Sequence, residues 1–165
     1  MIRVAFLGEK RIAYDCLKIL ISEKWGHQFE LKTIASNVHF LNGLKRELNI
    51  LSSADLISNQ YKKNNFLLDS ILKNKVDILI SIQHPWIISE DILSSVKYQA
   101  FNLHTAKLPK YRGFNAISHA IINEDKEYTS TIHLMVPDVD LGDVIIENSV
   151  FIHDDTAYRL YKRAL

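Results

Sequence analysis

The chain has 165 residues, 47% hydrophobic and 24% charged, and its 20 Lys and Arg against 19 Asp and Glu leave a formal net charge of +1. That size and balance suit one globular domain able to bury its own core, and they argue against a disordered chain or a strongly basic nucleic-acid binder. No apolar run approaches the roughly 20 residues of a bilayer span, and the opening stretch 1–8 is too short for a signal-peptide core.

The elements follow in chain order. Residues 2–7 are an apolar, partly β-branched run closed by Gly8, and Ile12, Cys16, Leu17, Ile19 and Leu20 then recur at helical spacing. The lone Cys16 has no partner for a disulfide and is expected as a reduced core thiol of a cytoplasmic protein. Residues 29–35 read as a second strand, 38–48 as a helix or irregular segment, and 65–73 as an amphipathic helix. The run 76–82 is short, β-rich and suited to a parallel strand buried on both faces. A short helix at 90–96, a strand at 99–104 and a helix at 114–123 come next. Two strands, 129–136 and 144–152, flank the turn-like segment 137–143, and 155–165 is helical in pattern. That last element stops without a C-cap or glycine signal, so residues 1–165 are expected to be one domain lacking a C-terminal segment.

Strand and helix alternate throughout, which implies an α/β fold. We expect a Rossmann-like, mostly parallel sheet with helices on both faces and an antiparallel edge hairpin. Gly8 is followed by Glu9, Lys10 and Arg11 rather than further glycines. The dinucleotide fingerprint and the P-loop are therefore both missing.

Chemistry concentrates in two stretches. Asn102 and His104 stand two apart at the end of a strand, so their side chains share a face at its carboxyl end. An imidazole titrates near neutral pH, and an amide NH2 can donate to an oxygen that becomes negative in a transition state. The turn 137–143 carries Asp138, Asp140 and Asp143, any of which would stabilise an imidazolium if brought beside it. Taken singly, the first stretch is better read as strand-end hydrogen bonding and the second as ordinary turn chemistry.

Together they resemble the formyltransferases that use 10-formyltetrahydrofolate, a family that includes methionyl-tRNA, sugar-nucleotide and glycinamide ribonucleotide formyltransferases. The resemblance rests on Asn102 and His104, on Leu-Pro-Lys-Tyr-Arg-Gly at 108–113, and on Asp140-Leu141-Gly142. The chain departs from the family pattern at Ala106, where Ser is usual, and at Ala116, where Pro is frequent.

The resemblance implies that an acceptor amine attacks the formyl carbon directly, with no covalent enzyme intermediate and no metal. His104 would take or relay the amine proton, Asn102 would donate to the developing oxyanion, and Asp140 would set the ionisation of His104. It also implies a folate pocket drawing on Gln83, His84, Trp86, Ile88 and Val139. Lys107, Lys110 and Arg112 lie beside the implied site and suit an acceptor phosphate.

Among acceptors, Gly8 to Arg11 lacks the phosphate turn of the glycinamide ribonucleotide branch, and the methionyl-tRNA branch carries a further domain. A nucleotide-linked amino deoxysugar is therefore the expected acceptor, with polysaccharide biosynthesis as the setting. No nucleic acid or membrane is expected as partner, and relatives suggest a homodimer. The alternatives are a methionyl-tRNA formyltransferase-like enzyme, a formyltetrahydrofolate hydrolase, and a non-catalytic folate or nucleotide-sugar binding module.

Overall fold

The fold was described from a computed structural model, covering residues 1–47, 53–58 and 65–164. Two compact units divide the chain, Met1–Phe101 and Asn102–Leu165. Strands run in the order β3-β2-β1-β4-β5-β6-β7, with the first unit ending and the second beginning within β5 (Gln99–His104).

In the first unit β1 (Ile2–Gly8) sits between β2 (Phe29–Ser36) and β4 (Ile78–Ile82), parallel to both, and β2 also pairs in parallel with β3 (Asp55–Ser58). A central parallel strand is buried on both faces, and the sequence obliges: Val4, Ala5, Phe6 and Leu7 are all fully buried. Burying Phe6 and Leu7 contributes about 1.5–3 kcal/mol each. Parallel pairing requires crossovers, supplied by α1 (Lys10–Leu20), α2 (Val38–Glu47), α3 (Phe66–Asn74) and α4 (Glu90–Ser95). The chain steps outward from β1 to β2 and β3 and then crosses back from β3 to β4, so strand order reverses between β1 and β4, and right-handed crossovers in the two directions place helices on opposite faces.

At that reversal Gly8 is required by space. A Cβ there would lie 2.7 Å from the Ala13 Cβ and 2.9 Å from the Ile82 carbonyl oxygen. Asp77 is 6% exposed and anchors the other end of the sheet. It accepts from the Arg3 amide at 2.8 Å and from the Arg3 guanidinium at 2.9 and 3.0 Å. These contacts, the side-chain bond first, hold its carboxyl well below the usual carboxylate range.

In the second unit β6 (Glu127–Leu134) pairs antiparallel with β7 (Val144–Phe151), giving the hairpin that the pattern implied. Helices α5 (Ala116–Ile122) and α6 (Ala157–Ala164) close a small core of Ala120, Tyr128, Leu160 and Ala164, against which Ile117 and Val150 pack. The Ser130 hydroxyl donates to the Ala164 carbonyl at 3.1 Å and ties the end of α6 to β6.

The expected elements are all present, with boundaries moved by a few residues, and β3 is an addition. Residues 48 and 165, which the expected helices reached, lie outside the described residues. Cys16 is half-buried rather than in the core. Among the described residues no helix is long and apolar enough to cross a membrane.

Candidate active site

The site lies within the second unit, where β5 delivers Asn102 and His104. Beside them β6 presents Thr129, Thr131 and His133, three polar residues at alternate positions, each 2% exposed or less. Buried polar atoms need partners. The Thr131 hydroxyl donates to the Ala106 carbonyl at 2.7 Å, and the Tyr128 hydroxyl donates to the Thr105 carbonyl. Thus β6 fixes the chain that leaves β5 just after His104.

The segment between β6 and β7 brings Asp140 back to the same place. Asp140 adopts a left-handed backbone, φ 55°, which Asp tolerates better than most residues. Two residues on, Gly142 has no room for a side chain, because a Cβ would overlap the Leu134 carbonyl oxygen. The Leu134 amide donates to the Asp143 carbonyl at 2.9 Å and closes the turn. Asp140 therefore occupies a conformation that its neighbours over-determine, as strained residues at functional sites commonly do.

The Asp140 carboxylate stands between two imidazoles. One oxygen lies 3.8 Å from His104 Nδ1 and accepts from the Gly113 amide at 3.0 Å, while the other lies 3.5 Å from His133 Nε2. The two rings meet edge to face with centroids 6.4 Å apart. His104 Nε2 donates to the Tyr111 carbonyl at 2.7 Å, so Nδ1 is the nitrogen turned toward Asp140. Asn102 Nδ2 lies 3.1 Å from His133 Nε2.

Burial alone would push the Asp140 carboxyl up; contact with His133, the Gly113 amide and the His104 imidazole outweigh it and hold the group below its usual range. The His133 share requires a proton on Nε2, whose nearer partner is Asn102. The Gly113 amide and His104 carry the same direction without it. The carboxylate is thus ionised throughout the neutral range.

The structure therefore places Asn102, His104 and Asp140 around one point, with His133 among them. Of the three candidate carboxylates, Asp138 and Asp143 are exposed and the histidine pairs go to Asp140. His133 is the residue that sequence reasoning missed. Its signal was the run Thr129, Thr131, His133, polar residues at every second position and all facing one side of β6.

The expected binding residues fall in both units. Gln83, His84, Trp86 and Ile88 belong to the first unit, after β4. Gln83 has a left-handed φ of 53° and accepts from Lys10 Nζ at 2.9 Å. His84 Nδ1 is buried with no hydrogen-bond partner, and burial pushes the imidazole down to about 4. Trp86 is 40% exposed whereas Ile88 is buried. In the second unit Val139, Lys107 and Arg112 are exposed. Lys110 is exposed as well, and its ammonium contacts both oxygens of Asp125, at 2.7 and 2.8 Å, and lies over the Tyr111 ring.

An amide and an imidazole on β5, a second imidazole on β6 and a carboxylate on the following turn converge here. The sequence profile of the formyl transferase family matches residues 3–165. The chain belongs to the formyl transferase family. A methionyl-tRNA formyltransferase of Hydrogenobaculum sp. is 30% identical over 162 residues, covering 94% of this chain and 52% of that protein. The bifunctional polymyxin resistance protein ArnA of Wigglesworthia glossinidia brevipalpis is 39% identical over 97 residues, 58% of this chain and 15% of that protein. The chain thus spans about half the length, or less, of these curated relatives.

Among solved structures, a phosphoribosylglycinamide formyltransferase from Bacillus halodurans superposes with a TM-score of 0.81 at 19% identity, covering 98% of this chain and 87% of that one. A sugar N-formyltransferase from a Shewanella species gives 0.75 at 21% identity, covering 99% and 63%. At these identities the likeness is one of fold. It establishes the mostly parallel α/β architecture with its antiparallel edge pair.

Proposed function

We propose that the chain carries the catalytic domain of an N-formyltransferase that moves the formyl group of 10-formyltetrahydrofolate to the amino group of a nucleotide-linked amino deoxysugar. The observation that carries the chemistry is the convergence of Asn102, His104 and Asp140. In this reading the acceptor nitrogen adds to the formyl carbon, and Asn102 donates to the oxygen as it becomes negative. His104 takes the proton that the amine sheds, with its imidazolium held by Asp140. The carbon–N10 bond then breaks, the proton passes to the leaving nitrogen, and tetrahydrofolate departs.

Gln83, His84, Trp86, Ile88 and Val139 are the proposed folate contacts, and Lys107, Lys110 and Arg112 the proposed acceptor-phosphate contacts. The sugar assignment draws on the missing phosphate turn after Gly8 and on the solved sugar N-formyltransferase among the fold neighbours. The methionyl-tRNA reading draws on the 30% identical relative and stands as the second. In that reading a nucleic acid is the partner.

The test is incubation of the protein with 10-formyltetrahydrofolate and a panel of nucleotide-linked 3-amino and 4-amino deoxysugars, with methionyl-tRNA as a parallel arm, following tetrahydrofolate release. Transfer to a sugar that His104→Ala abolishes supports the proposal. Transfer to methionyl-tRNA alone replaces it with the second reading, and folate turnover without any acceptor points to a hydrolase.

A further inference from the structure

We propose that His133 is a positioning residue: a neutral imidazole that accepts one amide hydrogen of Asn102 and so aims the other at the reacting oxygen. This rests on the reading of Asn102 as the oxyanion donor. The starting point is His133 Nδ1, which lies 2.8 Å from the Leu134 carbonyl oxygen. A carbonyl only accepts, so Nδ1 carries a proton. A neutral imidazole has one N–H, which leaves Nε2 as a bare acceptor. The nearest polar atom to Nε2 is Asn102 Nδ2 at 3.1 Å, inside the Asp140 oxygen at 3.5 Å.

An asparagine amide has a donating and an accepting end of nearly equal shape, and its partners decide which end points where. A bare Nε2 admits only the NH2. Because the amide is planar, anchoring one N–H fixes the direction of the other. An Asn102 turned end for end would present its oxygen to a developing negative charge, opposing the reaction it should assist. His133 removes that choice before substrate arrives, which is electrostatic preorganisation acting through a neighbour.

The same assignment settles how one carboxylate serves two imidazoles. The groups facing His133 are Asn102 from β5, Asp140 from the turn, the His104 ring and the Leu134 carbonyl. A charged His133 would donate from both nitrogens, would draw on the Asp140 charge, and would require Asn102 to offer its oxygen. A neutral His133 leaves Asp140 to His104.

The full chain, labelled with 15N at histidine ring nitrogens, reads this directly, the His133 signals being those lost in His133→Gln. At pH 7 the expected pattern is a protonated Nδ1 and a bare Nε2, with the Nε2 resonance moving downfield in Asn102→Ala as its hydrogen bond is lost. A protonated Nε2, alone or as imidazolium, overturns the proposal whether or not any acceptor is formylated. With an acceptor in hand, His133→Leu should lower kcat by about 10- to 100-fold, less than the ~100- to 1000-fold typical of losing an oxyanion donor. KM for the folate should stay near parental, and His133→Gln, which restores an acceptor, should recover most of the loss. Equal losses in the two variants, or none in His133→Leu, overturn it. If no acceptor is formylated while the nitrogen pattern is as expected, the functional reading fails and the Asn102 orientation stands.

Discussion

His104 Nε2 donates to the Tyr111 carbonyl oxygen at 2.7 Å, and this one bond decides which ring nitrogen is available for chemistry. The tied nitrogen keeps its proton, so the other, Nδ1, is the atom turned to Asp140 at 3.8 Å. In the proposed reaction proton transfer therefore runs on Nδ1, with the carboxylate across a gap slightly longer than a hydrogen bond.

It follows that Asp140→Asn keeps the shape of the site and removes its charge. We expect kcat to fall by about 100-fold or more, the lower end of what general acid–base catalysis supplies, with far smaller changes in folate affinity. Single-turnover formyl transfer beside equilibrium folate binding separates the two. Equal losses in both would mean that Asp140 holds the folate rather than the proton.

Gly142→Ala should be strongly destabilising. The added methyl meets the Leu134 carbonyl oxygen, which is fixed backbone, and relief requires moving the turn that carries Asp140. Overpacking of this kind costs about 1–3 kcal/mol or more. Urea unfolding of the variant should show a lower midpoint, and formyl transfer should fall further than the lost stability explains.

How much of this was legible beforehand depended on the kind of signal each feature left. Long periodic runs declared themselves: the apolar opening of β1 and the helical spacing of α1 needed no tertiary information. β3 left almost no trace, because Asp55–Ser58 is four residues long and is paired to β2 as an edge. Asn102 and His104 were readable from their two-residue spacing, whereas composition left Asp138, Asp140 and Asp143 open and only the family resemblance singled out Asp140, whose placement turns on a backbone angle. His133 was hidden by its place in a core strand. The pairing of Lys110 with Asp125 left no signal, because Asp125 lies on another loop.

The first unit offers an acid-stability test. Burial holds the His84 imidazole down at about 4, so between the ordinary histidine value near 6.5 and pH 4 the unfolded chain takes up a proton that the folded one refuses. Stability should fall across that window as pH is lowered. His84→Gln, which does not titrate, should show a flatter dependence in denaturant unfolding at pH 7 and pH 4.5; an unchanged slope would mean that His84 is charged in the folded protein.

Asp77 gives the opposite pairing of cause and range. Its carboxyl is held down by Arg3, so its contribution is present above the usual carboxylate value near 4 and is lost only as pH falls through the lower folded value. Asp77→Asn should be clearly less stable than the parent at pH 7, and the gap should narrow below about pH 4. Thermal unfolding at pH 7 and pH 3 checks this, and a gap of the same size at both would show that the shape of Asp77, not its charge, matters.

The contact between Gly113 and Asp140 is made by the main chain, through an amide that every residue except proline possesses. Gly113 has a φ of 79° and open space around its Cα, so a new side chain there would find room yet resist the backbone angle. Evolution and the engineer thus face the same constraint at this position. The space admits side chains of different size and charge, while the property the position demands is willingness to fold back to the left, and a residue such as Asn, which tolerates that angle, should preserve the grip on the carboxylate.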